Sequence, residues 1–200
     1  PIGENGVDLR NYGEPIGIIE ARKLGADILD SKIDLTIAGE QSSYLLMTQL
    51  LLGRFLFGLD DDPWKNDKEP AFLCAVPGFD RHFATLEGLG LKMHTVNLCS
   101  SGIDLDDLNK KLSKYPNIKG LICVPRHSNP SGEVFSDENI TNLLKITKEY
   151  NSSFINLFDH AYLIHDFDET RVQTPIPLLA DDLGALDNVA VFTSFSKVTF

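Results

Sequence analysis

The chain has 200 residues, enough for one α/β domain or for part of a larger protein, and 42% are hydrophobic against 24% charged, which suits a packed core. Its formal net charge of −11 leaves little for a nucleic-acid surface, which needs a basic patch. The acidity reads as a solubility feature of a soluble, cytoplasmic protein.

No charged segment with an apolar stretch behind it opens the chain, so no signal peptide is expected. Residues 1–30 read as an N-terminal segment with a first helix, and 31–200 as the main domain. Six short apolar runs then read as strands: Leu35–Ala38, Phe72–Val76, Met93–Leu98, Leu121–Val124, Phe154–Phe158 and Val189–Thr193. Helical patterns lie between them, at Ser42–Phe57, Asp80–Leu89, Leu105–Tyr115, Asp137–Tyr150 and Pro177–Leu183, with Asp104 and Ser136 as N-caps. Tyr44–Phe57 is very apolar, but it is short and carries Gln49 and Arg54. A membrane span takes roughly 18 apolar residues or more, so a buried helix is expected. The alternation predicts an α/β fold, a three-layer αβα arrangement around a mostly parallel sheet. Asp60-Asp61-Asp62 and the group Asp166, Asp168 and Glu169 are read as acidic loops without metal-ligand spacing. Cys74, Cys99 and Cys123 are odd in number, lack a C-x-x-C and sit in or beside apolar runs. They are expected to be buried free thiols in a reducing compartment.

Ligands of open parallel sheets bind outside the carboxyl ends of the strands, and the chemically versatile residues fall there. After the first run come Gly39-Glu40-Gln41-Ser42-Ser43, opening a helix whose N-terminus suits a phosphate. Ser42 is also a plain N-cap candidate. The second run leads into Pro77-Gly78-Phe79-Asp80-Arg81-His82, where Phe79 is either core or a stacking face for a planar ring. The fourth leads into Pro125-Arg126-His127-Ser128-Asn129-Pro130-Ser131-Gly132, which is also a good turn sequence. Asp159 ends the fifth run, with Tyr162 three residues on. A carboxylate there needs a partner, and a protonated heteroaromatic nitrogen is one. After the last run comes Thr193-Ser194-Phe195-Ser196-Lys197, a lysine among hydroxyls. In a partly desolvated crevice such an amine can form a Schiff base, and the hydroxyls of Ser194 and Ser196 suit a phosphate. Jointly the set matches the needs of pyridoxal 5′-phosphate (PLP): phosphate, aromatic ring, phenolic oxygen, ring nitrogen and aldehyde. The chain stops three residues past Lys197, and a continuation into a larger protein is expected.

The sequence resembles the fold type I, class I/II aminotransferases, and most of all the divergent aspartate aminotransferase branch also labelled MocR-type. The motifs run from Tyr12, Gly17, Glu20 and Arg22, through residues 77–83, Ser128-Asn129-Pro130-Ser131-Gly132 and Asp159-His160-Ala161-Tyr162, to residues 194–200. The resemblance implies the large PLP-binding domain of such an enzyme. It implies a transaminase moving an amino group between an amino acid, aspartate being the first guess, and a 2-oxo acid. Lys197 would form the Schiff base and then shuttle a proton, Asp159 would pair with the pyridine nitrogen, and His82 would orient Asp159. Tyr162 and Asn129 would bond the ring oxygen, Phe79 would stack on the ring, and Gln41, Ser42, Ser43 and Ser194 would hold the phosphate. Tyr12 would reach the phosphate of the neighbouring subunit, implying a homodimer with shared active sites. Neither nucleic acid nor membrane is an expected partner. Departures from the family pattern are Glu40 beside the phosphate turn, Phe79 where Trp or Tyr is common, and His160 where Asn is common. Alternative readings are an aminotransferase-like sensor domain of a transcriptional regulator, or a lyase or decarboxylase on the same fold.

Overall fold

The computed structural model describes residues 2–4, 6–59, 61–166 and 173–198. Six strands form one sheet: β1 (Ala71–Val76), β2 (Lys92–Cys99), β3 (Gly102–Ile103), β4 (Ile118–Cys123), β5 (Ile155–Asp159) and β6 (Val189–Phe192). Their order is β3-β2-β1-β4-β5-β6, parallel throughout except for the antiparallel β2–β3 pair. The α-helices are α1 (Ile19–Leu29), α2 (Ser43–Phe57), α3 (Asp80–Gly88), α4 (Leu105–Lys114), α5 (Asp137–Tyr150) and α6 (Ile176–Asp182).

The pleat of β1 explains the layers. Ala71, Leu73 and Ala75 point to one face, where they cluster with Leu108 and Leu112 of α4, Ile140 and Leu144 of α5, and Ala180 of α6. Phe72 and Cys74 point to the other, meeting Met47 and Leu51 of α2, Leu86 of α3 and Trp64. All six residues of β1 are apolar because both faces of this central strand are covered. The αβα expectation is met. At Gly120 of β4 a Cβ would stand 2.5 Å from the Phe72 ring and 2.4 Å from the Ile155 carbonyl, so only glycine lets the Phe72 side chain lie across the sheet there.

Asp104 caps α4 through the amides of Asp106 and Asp107, and Ser136 caps α5 through that of Asn139. Five of the six expected strands form. Leu35–Ala38 does not: Ile33–Leu35 is a 3-10 turn, and Ile37 is 60% exposed. The Ala38 amide donates to the Ile16 carbonyl, and among the described residues this stretch joins no strand ladder. Arg22, buried in α1, donates to the carbonyls of Thr36 and Ile33 at 2.9 and 2.7 Å and ties the stretch to the helix. Gly17, at φ 93°, passes so close to Ala38 that a Cβ would lie 2.0 Å from its carbonyl oxygen.

The two-residue β3 was not anticipated. The side chain of Asn139 stands in for a strand beside it, accepting from Ile103 N–H at 2.9 Å and donating to the Ile103 carbonyl at 2.8 Å. Two other corrections concern polarity. Cys99 is exposed, whereas Cys74 and Cys123 are buried free thiols. Asp61 is half-buried and pairs with Arg54 of α2 at 3.6 Å, so it is not a solvated loop residue. Among the described residues no helix is long and apolar enough to cross a membrane.

Candidate active site

The chain runs from β1 outward to β2, then returns across to β4 and proceeds to β5 and β6. The order therefore reverses between β1 and β4, and a crevice opens where their carboxyl ends diverge. The sequence-predicted residues sit on the loops leaving these strands: Phe79 and His82 after β1, Asn129 after β4, Asp159 and Tyr162 at and after β5, Ser194, Ser196 and Lys197 after β6.

Asp159 is the last residue of β5 and is buried. Its Oδ2 lies 2.9 Å from His82 Nε2, and its Oδ1 accepts from the Ala161 amide at 3.1 Å. His82 comes from the first turn of α3, itself 3% exposed, so the pair is shielded from water. Phe79 packs edge-on against the His82 ring, centroids 5.2 Å apart. This local order follows from the chain path: Gly78 lets the backbone turn tightly past the Ala75 carbonyl, 2.4 Å from where its Cβ would be, and so delivers Phe79 and His82 to the end of β5.

The pairing of β5 and β6 continues past their ends. His160 N–H donates to the Phe192 carbonyl at 2.7 Å, and Thr193 Oγ1 donates to the His160 carbonyl at 3.1 Å. The 3-10 turn Phe195–Lys197 then begins, with Ser194 Oγ accepting from the Ser196 amide. Lys197 is exposed, and its carbonyl bonds His165 Nε2 at 3.0 Å.

The N-terminus of α2 supplies the other wall. Ser42 caps it by accepting from the Leu45 amide at 3.3 Å, and Ser43 is buried at the first turn. Glu40 is turned to Gln49, whose amide donates to its carboxylate at 2.6 Å; the acid is thereby held against α2. Gln41, Ser42, Ser43, Ser194 and Ser196 line one cleft of about 1110 Å³ between α1, α2 and β6. Much of its wall is apolar, with Leu24, Ile28 and Leu46 among the lining residues. Phe79, Asn129, Asp159, Tyr162 and Lys197 are not in that lining, though Ala161, whose amide bonds Asp159, is. Tyr12 is 97% exposed and is also not in it. Asn129 is half-buried in the turn that follows β4, where Ser128 N–H meets the Glu133 carbonyl at 2.9 Å.

The cluster of Arg126, His127 and Asp166 was missed from the sequence. Arg126, buried directly after β4, donates its Nε to Asp166 Oδ1 at 3.2 Å and its Nη2 to Oδ2. His127 Nε2 lies 2.8 Å from the same Oδ1. Burial works to raise the Asp166 carboxyl pKa, but the bonds from His127 and Arg126 outweigh it and the pKa falls. The signal was an arginine and a histidine directly after a buried strand, with an acidic loop elsewhere to meet them. Asp168 and Glu169 of that loop lie outside the described residues. His160 is 3% exposed, and burial, helped by the nearby Arg126 charge and opposed by Asp159, pushes its pKa down to about 4. Burial, with the Asp159 charge adding to it, pushes the Cys123 thiol pKa up, which removes it as a nucleophile.

A doubly covered, mostly parallel sheet with a polar constellation at its switch point defines a ligand-binding α/β domain. The family model described as aspartate amino-transferase matches residues 2–200, and the chain belongs to that family. An aspartate aminotransferase of Corynebacterium glutamicum is 33% identical over 198 residues, covering 98% of this chain and 45% of that protein. The crystal structure of an aspartate transaminase from the same organism superposes with a TM-score of 0.89 at 31% identity, covering 99% of this chain and 47% of the other. An α-aminoadipate aminotransferase of Thermus thermophilus, complexed with N-(5′-phosphopyridoxyl)-L-leucine, shares the fold at 22% identity and a TM-score of 0.77, covering 98% of this chain and 46% of the other. The chain thus spans about half the length of the relatives it matches.

Proposed function

We propose that the protein containing this chain is a PLP-dependent aminotransferase, acting through a Lys197 Schiff base on an aspartate-like amino acid and a 2-oxo acid. The observation that carries the reading is the buried His82–Asp159 pair at the end of β5, on the same sheet edge as Lys197. A carboxylate shielded from water and held by a histidine behind it is poised to meet a cationic ring nitrogen. The residues fit the cofactor at its other end as well. The first turn of α2, with Ser42 and Ser43, offers amides, hydroxyls and the positive end of a helix dipole to a dianionic phosphate. Ser194 and Ser196 add hydroxyls from the opposite wall of the same cleft.

When bound, PLP supplies an aldehyde and a conjugated ring that accepts an electron pair. The chain supplies the rest. Asp159 would hold a proton on the ring nitrogen, and His82 would fix the carboxylate's orientation. Phe79 would cover one ring face, and Tyr162 and Asn129 would donate to the ring oxygen. Lys197 Nζ would take and return the proton at the substrate α-carbon, a positioned transfer worth roughly 10²–10⁴-fold in rate. The nearly fully exposed phenol of Tyr12 supports the reading that it completes the phosphate site of a second subunit. A homodimer with shared active sites follows from that reading.

The test is Lys197→Ala in the full-length protein. Loss of the yellow colour formed with PLP, together with loss of amino transfer from aspartate to 2-oxoglutarate, is expected. Retained turnover would remove the assignment.

A further inference from the structure

The loop after β5 is fastened to Lys197 by a residue that none of the site assignments above uses. His165 Nε2 lies 3.0 Å from the Lys197 carbonyl oxygen. Because a carbonyl only accepts, Nε2 carries the hydrogen in this contact. On its other side His165 is locked to Tyr162. Its backbone N–H donates to the Tyr162 carbonyl at 3.1 Å, and the two rings meet edge to face at 5.6 Å and 84°. Its Nδ1 is buried and has no hydrogen-bond partner among the described residues. The next residue, Asp166, is held by Arg126 and His127 from the loop that presents Asn129. Two consecutive residues thus tie together the loops leaving β4, β5 and β6.

We infer that His165 is a positioning residue: it sets the backbone of Lys197 relative to Tyr162, so that the amine and the phenol face one ligand in fixed register. The inference rests on the PLP reading of the site. Lys197 ends a short 3-10 turn that the Ser194 hydroxyl caps at its start and the Val198 amide closes at its end, and its side chain is exposed. Misplacement of a reacting group by about 1 Å costs on the order of 10²-fold in rate. A contact fixing the backbone from which that group springs therefore acts on turnover more than on folding.

The experiment compares wild type, His165→Phe and His165→Gln as full-length proteins. Phe keeps the edge-to-face ring and loses the donor; Gln can place an amide N–H where Nε2 stood. For His165→Phe, kcat should fall roughly 10- to 100-fold with KM within about twofold. The visible circular dichroism of the Lys197–cofactor adduct should weaken, and amide exchange over residues 193–198 should quicken in protein without added cofactor. His165→Gln should restore most of each. Unchanged exchange, dichroism and kcat in His165→Phe would overturn the inference, as would equal losses in both variants. If wild type forms no coloured adduct, the PLP reading fails instead, and the exchange measurement alone then decides whether His165 anchors Lys197.

Discussion

His82 Nε2 and Asp159 Oδ2 lie 2.9 Å apart, 77 residues distant in sequence, with side chains only 3% and 10% exposed. One comes from the first turn of a helix and the other from the last residue of a strand, so the pair exists only because β1 and β5 flank β4 in one sheet. In this low-dielectric position the contact holds the carboxylate in a single orientation.

Replacing His82 by Ala leaves one oxygen of Asp159 buried without its donor. A loss of about 1–3 kcal/mol in unfolding free energy is expected, with weaker retention of PLP. Urea denaturation and a cofactor titration of the same variant check both, and His82→Asn should be milder where its amide still reaches Oδ2.

His160 gives the stability a pH dependence. Its pKa is lowered from 6.5 to about 4 by burial first, then by the Arg126 charge. An unfolded chain therefore binds a proton that the folded one refuses between these values. The stabilisation is fully present above about pH 6.5 and is lost as pH falls toward about 4, roughly 3 kcal/mol over that window. His160→Asn, which removes the titrating group, should flatten this part of the pH–stability curve measured by denaturant midpoints.

Ser42→Ala removes the cap of α2 and one proposed phosphate contact together. Stability should drop by about 0.5–2 kcal/mol, and PLP affinity should drop in parallel. Ser42→Asp separates the two: it restores the cap but sets a negative charge beside the phosphate, so stability should recover while PLP binding worsens further.

Gly17→Ala should be among the most damaging changes outside the site. Its φ of 93° disfavours any side chain, and the new Cβ would stand 2.0 Å from the Ala38 carbonyl oxygen. Thermal unfolding should occur at clearly lower temperature, with the segment 33–38 released from α1 as seen by faster amide exchange.

Much of this architecture was legible because periodicity reports burial. Phe72–Val76, Leu121–Val124 and Phe154–Phe158 overlap strands covered on both faces, and apolar runs, broken here only by the buried Asn156, are what such strands require. The helix caps Asp104 and Ser136 were legible because they act within three residues. Leu35–Ala38 misled for the complementary reason: its composition suits a strand, but a strand also needs a neighbour, and its side chains at 35 and 37 stay in water. β3 escaped because its pairing is completed by a side chain from α5 rather than by its own pattern.

The layer order, the residue types offered at the strand ends and, through its motifs, the family are all legible in the chain. These depend on local pattern and on chain order. Which of those residues touch comes from the folding of the sheet: His82 reaches Asp159, Glu40 turns to Gln49, Asp166 gathers Arg126 and His127, and His165 holds the Lys197 carbonyl. Hydrogen bonds are directional and act over about 3 Å. Partners dozens of residues apart are therefore fixed by how the sheet brings its loops to one edge, which spacing along the chain does not encode.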